Sequence, residues 1–321
     1  MPRRRRSLCD VVRHLLFFQG GNILQRDFRC ELNPAPRPER RCFLKEFLIA
    51  PLHPRPERRG ITRCRVNAIS YDFSVPVFFE GKVHSVFENA VNITASDQLI
   101  SIVHKKFFNG PNRIVLDDFS FSLFQNCEIV KFEQDKLFFS NGITINIKNS
   151  KRWNSPVKKI CIEKLDTSAV SYYLKNHSFI KSSLIEKFKF AVKSQNKELF
   201  NYNVEQVLGL GFGLTPSGDD FLVGFLSASH FFDALIPFDF LLKNIKIDYT
   251  KTNFISAEYL RYSYEGRISE LVANTIFSVS EKKASADFWL KNLISTGATS
   301  GYDTLLGILT AMEVYNACKS C

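Results

Sequence analysis

From Arg65 to about Leu165, apolar and polar residues alternate over short runs, the two-residue period of half-buried strands. The pattern predicts strands over Asn67–Phe73, Lys82–Glu88, Leu99–His104, Arg113–Leu116, Glu128–Glu133, Lys136–Phe139, Ile143–Ile147 and Lys158–Glu163. Glu80-Gly81, Asn109-Gly110-Pro111, Gln134-Asp135 and Asn141-Gly142 read as turns between them. After Asp166 the spacing becomes helical. Ser183-x-x-Glu186 reads as a capping box ahead of Leu184, Ile185, Phe188 and Val192. Further helices are expected after Pro216, over Asn253–Val279, over Ala284–Leu293 and from Tyr302 to about Cys318. The expected fold class is therefore α+β. An N-terminal antiparallel β-rich half (sheet or small barrel) spans 65–165, and a mostly α-helical half spans 166–321.

One stretch departs from both periods. Leu208–Leu226 reads LGLGFGLTPSGDDFLVGFL, with Gly209, Gly211 and Gly213 at alternate positions. Thr215 reads as an N-cap with Pro216 in the first turn, and Ser217 as a competing cap with Asp220 its partner. Phe221, Leu222, Val223, Phe225 and Leu226 then begin a buried helix. Part of this stretch recurs. TPSGDDFLVGFL at 215–226 aligns without gaps with ATSGYDTLLGIL at 298–309, matching Ser217/Ser300, Gly218/Gly301, Asp220/Asp303, Leu222/Leu305, Gly224/Gly307 and Leu226/Leu309.

Two ordinary helix caps would explain the serines and aspartates, but not Gly218, Asp219 or the upstream glycines. The repeat favours two helix starts converging on one ligand. The candidate ligand-binding residues are Gly209, Gly211, Gly213, Thr215, Ser217, Gly218, Asp219, Thr299, Ser300 and Gly301, and the candidate catalytic pair is Asp220 and Asp303. The amides and dipoles of two helix starts favour an anion. The aspartates oppose one, so they must meet a cation, accept from an amide NH2, or serve only as caps. A Mg2+ ion bridging carboxylate and phosphate is compatible with this set but not demanded by it. Between the copies, FISAEYLRYSYEGRIS at 254–269 places Ser256 as a helix cap and Leu260, Tyr264 and Ile268 inward. Glu265-Gly266 marks either a close approach to the glycine loops or a helix break.

Composition narrows the classes. With 321 residues, 45% hydrophobic and 31 Phe, the chain has material for a sizeable globular core. No apolar run approaches the roughly 20 residues of a membrane span. The net charge of +11 is concentrated in residues 1–64, whose net is +9 and which hold 14 Arg to one Lys, Lys45. RPERR occurs there twice, at 37–41 and 55–59. The remainder is near neutral, so nucleic acid is not an expected partner. Residues 1–64 are expected to be an Arg/Pro arm, disordered or foreign to the native fold; a basic nucleic-acid arm or a targeting peptide are the alternatives.

Cys318 and Cys321 have metal spacing but no second pair, so free thiols in a reducing cytoplasm are the expectation. His84, His104, His177 and His230 form no H-x-x-x-H pair, and neither a Walker-type phosphate loop nor a G-x-S-x-G elbow occurs.

The segments GLGFGLTPSGDDFLVGFL, TNFISAEYLRYSYEGRISE and STGATSGYDTLLGIL, with GKVHSVFENAVNI and NGPNRIVLD upstream, resemble the family that includes AllH, a subunit associated with oxamate carbamoyltransferase. The resemblance covers roughly Arg65–Asn316. It implies carbamoyl transfer between carbamoyl phosphate and oxamate in anaerobic breakdown of allantoin-type purine products, in company with other carbamoyltransferase subunits. The S-x-R-T carbamoyl-phosphate motif of ordinary transcarbamylases is absent, so any chemistry belongs to a different site.

Overall fold

A computed structural model describes residues 16–19, 22–25, 64–117, 119–174, 180–232 and 235–319. Strands β1 (Leu16–Gln19) and β2 (Asn22–Gln25) pair antiparallel within a unit spanning Met1–Arg59. The rest of the Arg/Pro arm up to residue 63 lies outside the described residues, as do His177 and Cys321. Gly60–Cys321 forms the second unit and contains both the β-rich and the helical halves.

The β-rich half is a small closed barrel. Its strands are β3 (Arg65–Asp72), β4 (Phe79–Phe87), β5 (Ala90–Ala95), β6 (Gln98–His104), β7 (Arg113–Leu116), β8 (Ile129–Glu133), β9 (Lys136–Phe139) and β10 (Thr144–Asn146). They run in the order β10-β9-β8-β4-β5-β6-β7-β3, and β10 pairs again with β3 to close the ring. The β6–β7 and β10–β3 seams are parallel; the other neighbours are antiparallel. A short β11 (Lys151–Trp153) continues along β3 beyond β10. Closure removes the exposed edges that a free sheet would present. Alternation fills the interior: in β8, Val130 and Phe132 are buried while Ile129 is exposed, and Ile93, Ile102, Ile114, Leu137 and Ile145 complete the core.

Three details differ from the sequence expectation. Strand β5 was not expected, because buried Asn92 interrupts its apolar run and its turn to β6, Ser96-Asp97, reaches positive φ without a glycine. Glu80-Gly81 is not a turn but lies inside β4. A Cβ on Gly81 would lie 2.8 Å from the Thr94 carbonyl oxygen, so the glycine admits β5 closely. Lys158–Glu163 is not a strand: the Ile160 amide donates to the Phe231 carbonyl at 2.9 Å and ties this linker to the helical core.

The helices are α1 (Ser168–Tyr173), α2 (Ser182–Lys193), α3 (Lys197–Val207), α4 (Ser217–Phe232), α5 (Ile236–Asn244), α6 (Phe254–Tyr264), α7 (Glu270–Ser280), α8 (Ala286–Ile294) and α9 (Ser300–Lys319). The expected capping box fails at α2, which follows Lys181, and Glu186 pairs instead with Lys189 at 2.5 Å. Helices α4 and α9 are buried on nearly all faces and form the centre of the helical half. Asn253, not Ser256, caps α6, accepting from the Ser256 amide at 3.1 Å. At its other end Gly266, with φ of 72°, closes a Schellman turn: Gly266 N donates to Ser263 O and Arg267 N to Tyr262 O. Tyr264 is exposed rather than inward.

Barrel and helices have separate apolar cores. Buried polar groups join them. The Tyr262 hydroxyl donates to the Leu99 carbonyl or to Glu258 and accepts from Asn112 Nδ2 at 2.9 Å. Asp72 accepts from the Asn112 amide at 2.7 Å and pairs with Arg267, whose guanidinium lies over the Tyr262 ring. Among the described residues no helix is long and apolar enough to cross a membrane.

Candidate functional site

Each copy of the repeat begins as an ordinary helix end. Helix α3 stops at Val207, and Gly209 and Gly211 turn the chain with φ of 73° and 119°. Helix α8 stops at Ile294, and Gly297 turns the chain with φ of 63°. A Cβ on Gly209 would lie 2.5 Å from the Lys251 carbonyl oxygen. Glycine is therefore required there for both conformation and space. The loops then rise to exposed crests at 212–214 and 297–299 before descending into buried helix starts.

The two starts are equivalent. The amides of Asp220 and Asp303 donate to the carbonyls of Pro216 and Thr299, at 3.1 and 3.0 Å. Gly218 packs its α-carbon against the Val207 carbonyl, and Gly301 packs against the Leu293 carbonyl; added Cβ atoms would lie 1.8 and 1.9 Å away. Farther along, Gly224 meets the Thr304 carbonyl and Gly307 meets the Phe221 carbonyl, at Cβ distances of 2.0 and 2.1 Å. Phe221 and Thr304 are aligned positions of the repeat, so the contact is reciprocal. Helices α4 and α9 thus cross about a local two-fold axis, in the way an isologous interface repeats its contacts.

That axis brings the candidate residues together. The Thr215 and Ser300 hydroxyls lie 2.8 Å apart. The Ser300 and Thr215 hydroxyls act on the Asp220 carboxyl, and those of Ser217 and Thr299 act on Asp303. Asp220 and Asp303 are 7% and 1% exposed, and the Oδ2 atom of each is buried with no hydrogen-bond partner. Burial pushes the Asp220 carboxyl up to about 8, against the pull of those hydroxyls; Asp303 and Asp219 add to the rise. Burial likewise raises Asp303, against Ser217 and Thr299.

Other residues of the expected set do different work. Asp219 is fully buried and its oxygens are taken: Oδ1 accepts from the Gly209 amide at 2.7 Å, and Oδ2 accepts from the hydroxyls of Ser256 and Thr252. The amides of Gly218 and Gly301 donate to the carbonyls of Leu210 and Thr296. The expected amide cradle therefore narrows to the loops themselves. Gly213 stands at a crest with nothing within 4 Å of a Cβ. Among the described residues no cluster of three or more His, Cys, Asp or Glu side chains suits a metal ion. Surface cavities around Glu80, Lys82 and Thr94, and around Lys164, Asp166 and Lys282, share no residue with this cluster.

Residues 207–312 match the family model described as oxamate carbamoyltransferase subunit AllH, and residues 67–152 match that of the AllH family N-terminal domain. The chain belongs to the AllH family. The first match begins at Val207, where α3 gives way to the glycine loop, and it spans both copies of the repeat. The AllH N-terminal match falls on the barrel. No solved structure matches the chain. Sequence reading missed Thr252 and Ser256 as partners of Asp219.

Proposed function

We propose that this AllH-family subunit binds a small ligand with an anionic end and an NH2 end at the two helix starts, and that the ligand is carbamoyl phosphate. The observation that carries this reading is the pair of buried, unpartnered carboxyl oxygens on Asp220 and Asp303. A buried polar atom without a partner is costly, so such a pair is best explained by something that arrives to meet it. A carbamoyl NH2 offers two donors to these oxygens. The phosphate end is left to Thr215, Ser217, Thr299, Ser300 and the loop amides near Gly211, Gly213 and Gly297, where the helix starts favour negative charge.

The corresponding reaction is oxamate plus carbamoyl phosphate to oxalurate plus phosphate, or its reverse, within cytoplasmic allantoin and purine degradation. The remaining parts of the reaction would come from other carbamoyltransferase subunits. Mg2+ enters this reading only as a companion of the ligand's phosphate.

Thermal-shift titration with carbamoyl phosphate, phosphate and oxamate tests the proposal, alone and with co-purified partner subunits. Carbamoyl phosphate is expected to raise the melting temperature, and Ser217→Ala with Ser300→Ala to weaken that response. A protein that assembles normally but responds to none of these ligands is a scaffold, and the proposal is then wrong.

A further inference from the structure

We infer that Asp220 and Asp303 act as one acid–base pair, holding a single proton between them and moving it between the attacking nitrogen and the departing phosphate. This rests on the ligand reading above and assigns the base that reading lacks.

The argument begins with charge. The carboxyls occupy equivalent places about the α4–α9 axis, both are more than nine-tenths buried, and each keeps one oxygen unpartnered. The charged groups acting on Asp220 are Asp303 and Asp219, which are themselves acidic. Around Asp303 stand the hydroxyls of Ser217 and Thr299. The neighbouring elements bring uncharged groups: α3 and α8 present the Val207 and Leu293 carbonyls to the helix starts, and α6 presents the Ser256 hydroxyl to Asp219. Two buried carboxylates with acidic and neutral neighbours do not both ionise readily. They share a proton and titrate as a pair. The upward displacement of both carboxyls agrees.

One shared proton is what an amide nucleophile requires. The oxamate nitrogen attacks the carbamoyl carbon, so an N–C bond forms while the C–O bond to phosphate breaks. The nitrogen's proton passes to the ionised carboxyl, and the protonated carboxyl gives its proton to the leaving phosphate oxygen. The pair ends with one proton, as it began, and the two carboxyls have exchanged roles. By microscopic reversibility, the reverse transfer uses the same atoms in the opposite sense.

The test uses the protein isolated with its native partner subunits, assayed for phosphate-dependent cleavage of oxalurate across pH. Asp220→Asn and Asp303→Asn are each expected to lower kcat about 10²–10⁴-fold, the loss typical of a missing acid–base group, over and above the rise in KM from losing an acceptor for the ligand NH2. Ser300→Ala retains the base but removes a hydroxyl that holds the Asp220 carboxyl down, so it should move the pH limb of kcat upward. It also serves if an aspartate variant fails to fold. A kcat within about fivefold of the parent in a folded Asn variant, or an unmoved pH limb in Ser300→Ala, overturns the proton role. If the parent enzyme turns over but carbamoyl phosphate produces no shift in this subunit, the underlying ligand reading is the one that fails.

Discussion

Gly307 sits so close to the backbone of Phe221 that a Cβ on it would lie 2.1 Å from the Phe221 carbonyl oxygen. The aligned Gly224 has the same relation to Thr304. Neither residue lines the ligand site, yet together they set how near α4 and α9 approach. Gly307→Ala and Gly224→Ala must push the helices apart, and overpacking of this kind costs about 1–3 kcal/mol, occasionally more. Urea unfolding should show a loss at or above the upper end of that range for each. Gly213→Ala meets no atom and should lose only about 1 kcal/mol from its φ of 100°. Equal losses at all three positions would argue against backbone contact as the cause.

The repeat that placed these glycines was legible in the sequence because both copies kept the same residues at the helix start and at the crossing. The barrel was legible for a related reason: alternation in β8 and β9 is strict, and Gln134-Asp135 marks their turn. Its closure was not, since the β10–β3 seam joins segments far apart in sequence and leaves no local trace. Asn92 hid β5, because a polar residue at 5% exposure breaks the pattern that advertises a buried strand; its partners Ser85 and Ser101 become visible only once the strands pair. At the site, the repeat alignment set Asp220 and Asp303 apart as a pair, while Asp219, expected to bind ligand, proves to be a structural clamp. Asp219 turns toward Ser256 and Gly209, whereas Asp220 and Asp303 sit at equivalent buried starts of α4 and α9 with an unpartnered oxygen each.

That separation has a consequence for stability. Asp219→Ala strands the Gly209 amide and the hydroxyls of Thr252 and Ser256, all within the packed base of the glycine loop. A loss of about 3 kcal/mol is expected, together with faster amide exchange in residues 209–215. Asp220→Asn preserves shape and should cost far less. If denaturant midpoints rank the two variants the other way, Asp219 is not the clamp.

The barrel is held to the helices through Tyr262, whose hydroxyl meets Leu99, Asn112 and Glu258. Burial, then Glu258, raises this phenol far above its ordinary range, so it remains a neutral donor at any working pH. Tyr262→Phe should therefore lower stability by about 1–3 kcal/mol, since it leaves buried partners unmatched without opening a cavity. Limited proteolysis should then cut the linker at residues 154–166 sooner than in the parent. An unchanged cleavage rate would mean that the apolar contacts alone hold the halves together.

The aspartate pair also fixes the sign of the pH dependence. Asp220 has a carboxyl near 8 in the folded chain and an ordinary value near 3.8 when unfolded. Between those values the folded state binds the extra proton, so raising the pH favours the unfolded state. The contribution is fully present below about pH 4 and disappears as pH rises through about 8, with a slope of up to about 1.4 kcal/mol per pH unit in between. Asp303, raised in the same direction, shares this proton, so the pair titrates as one over this window. Asp220→Asn carries no titrating proton. It should flatten the dependence between about pH 5 and 8 and leave the variant more stable than the parent at the upper end. Carbamoyl phosphate, if it supplies the missing donors, should reduce the parent's slope without affecting the variant's. Urea midpoints across this range, with and without ligand, measure both effects; a parent protein whose stability rises with pH over this window would show that the carboxyls are already ionised and neutralised by something else.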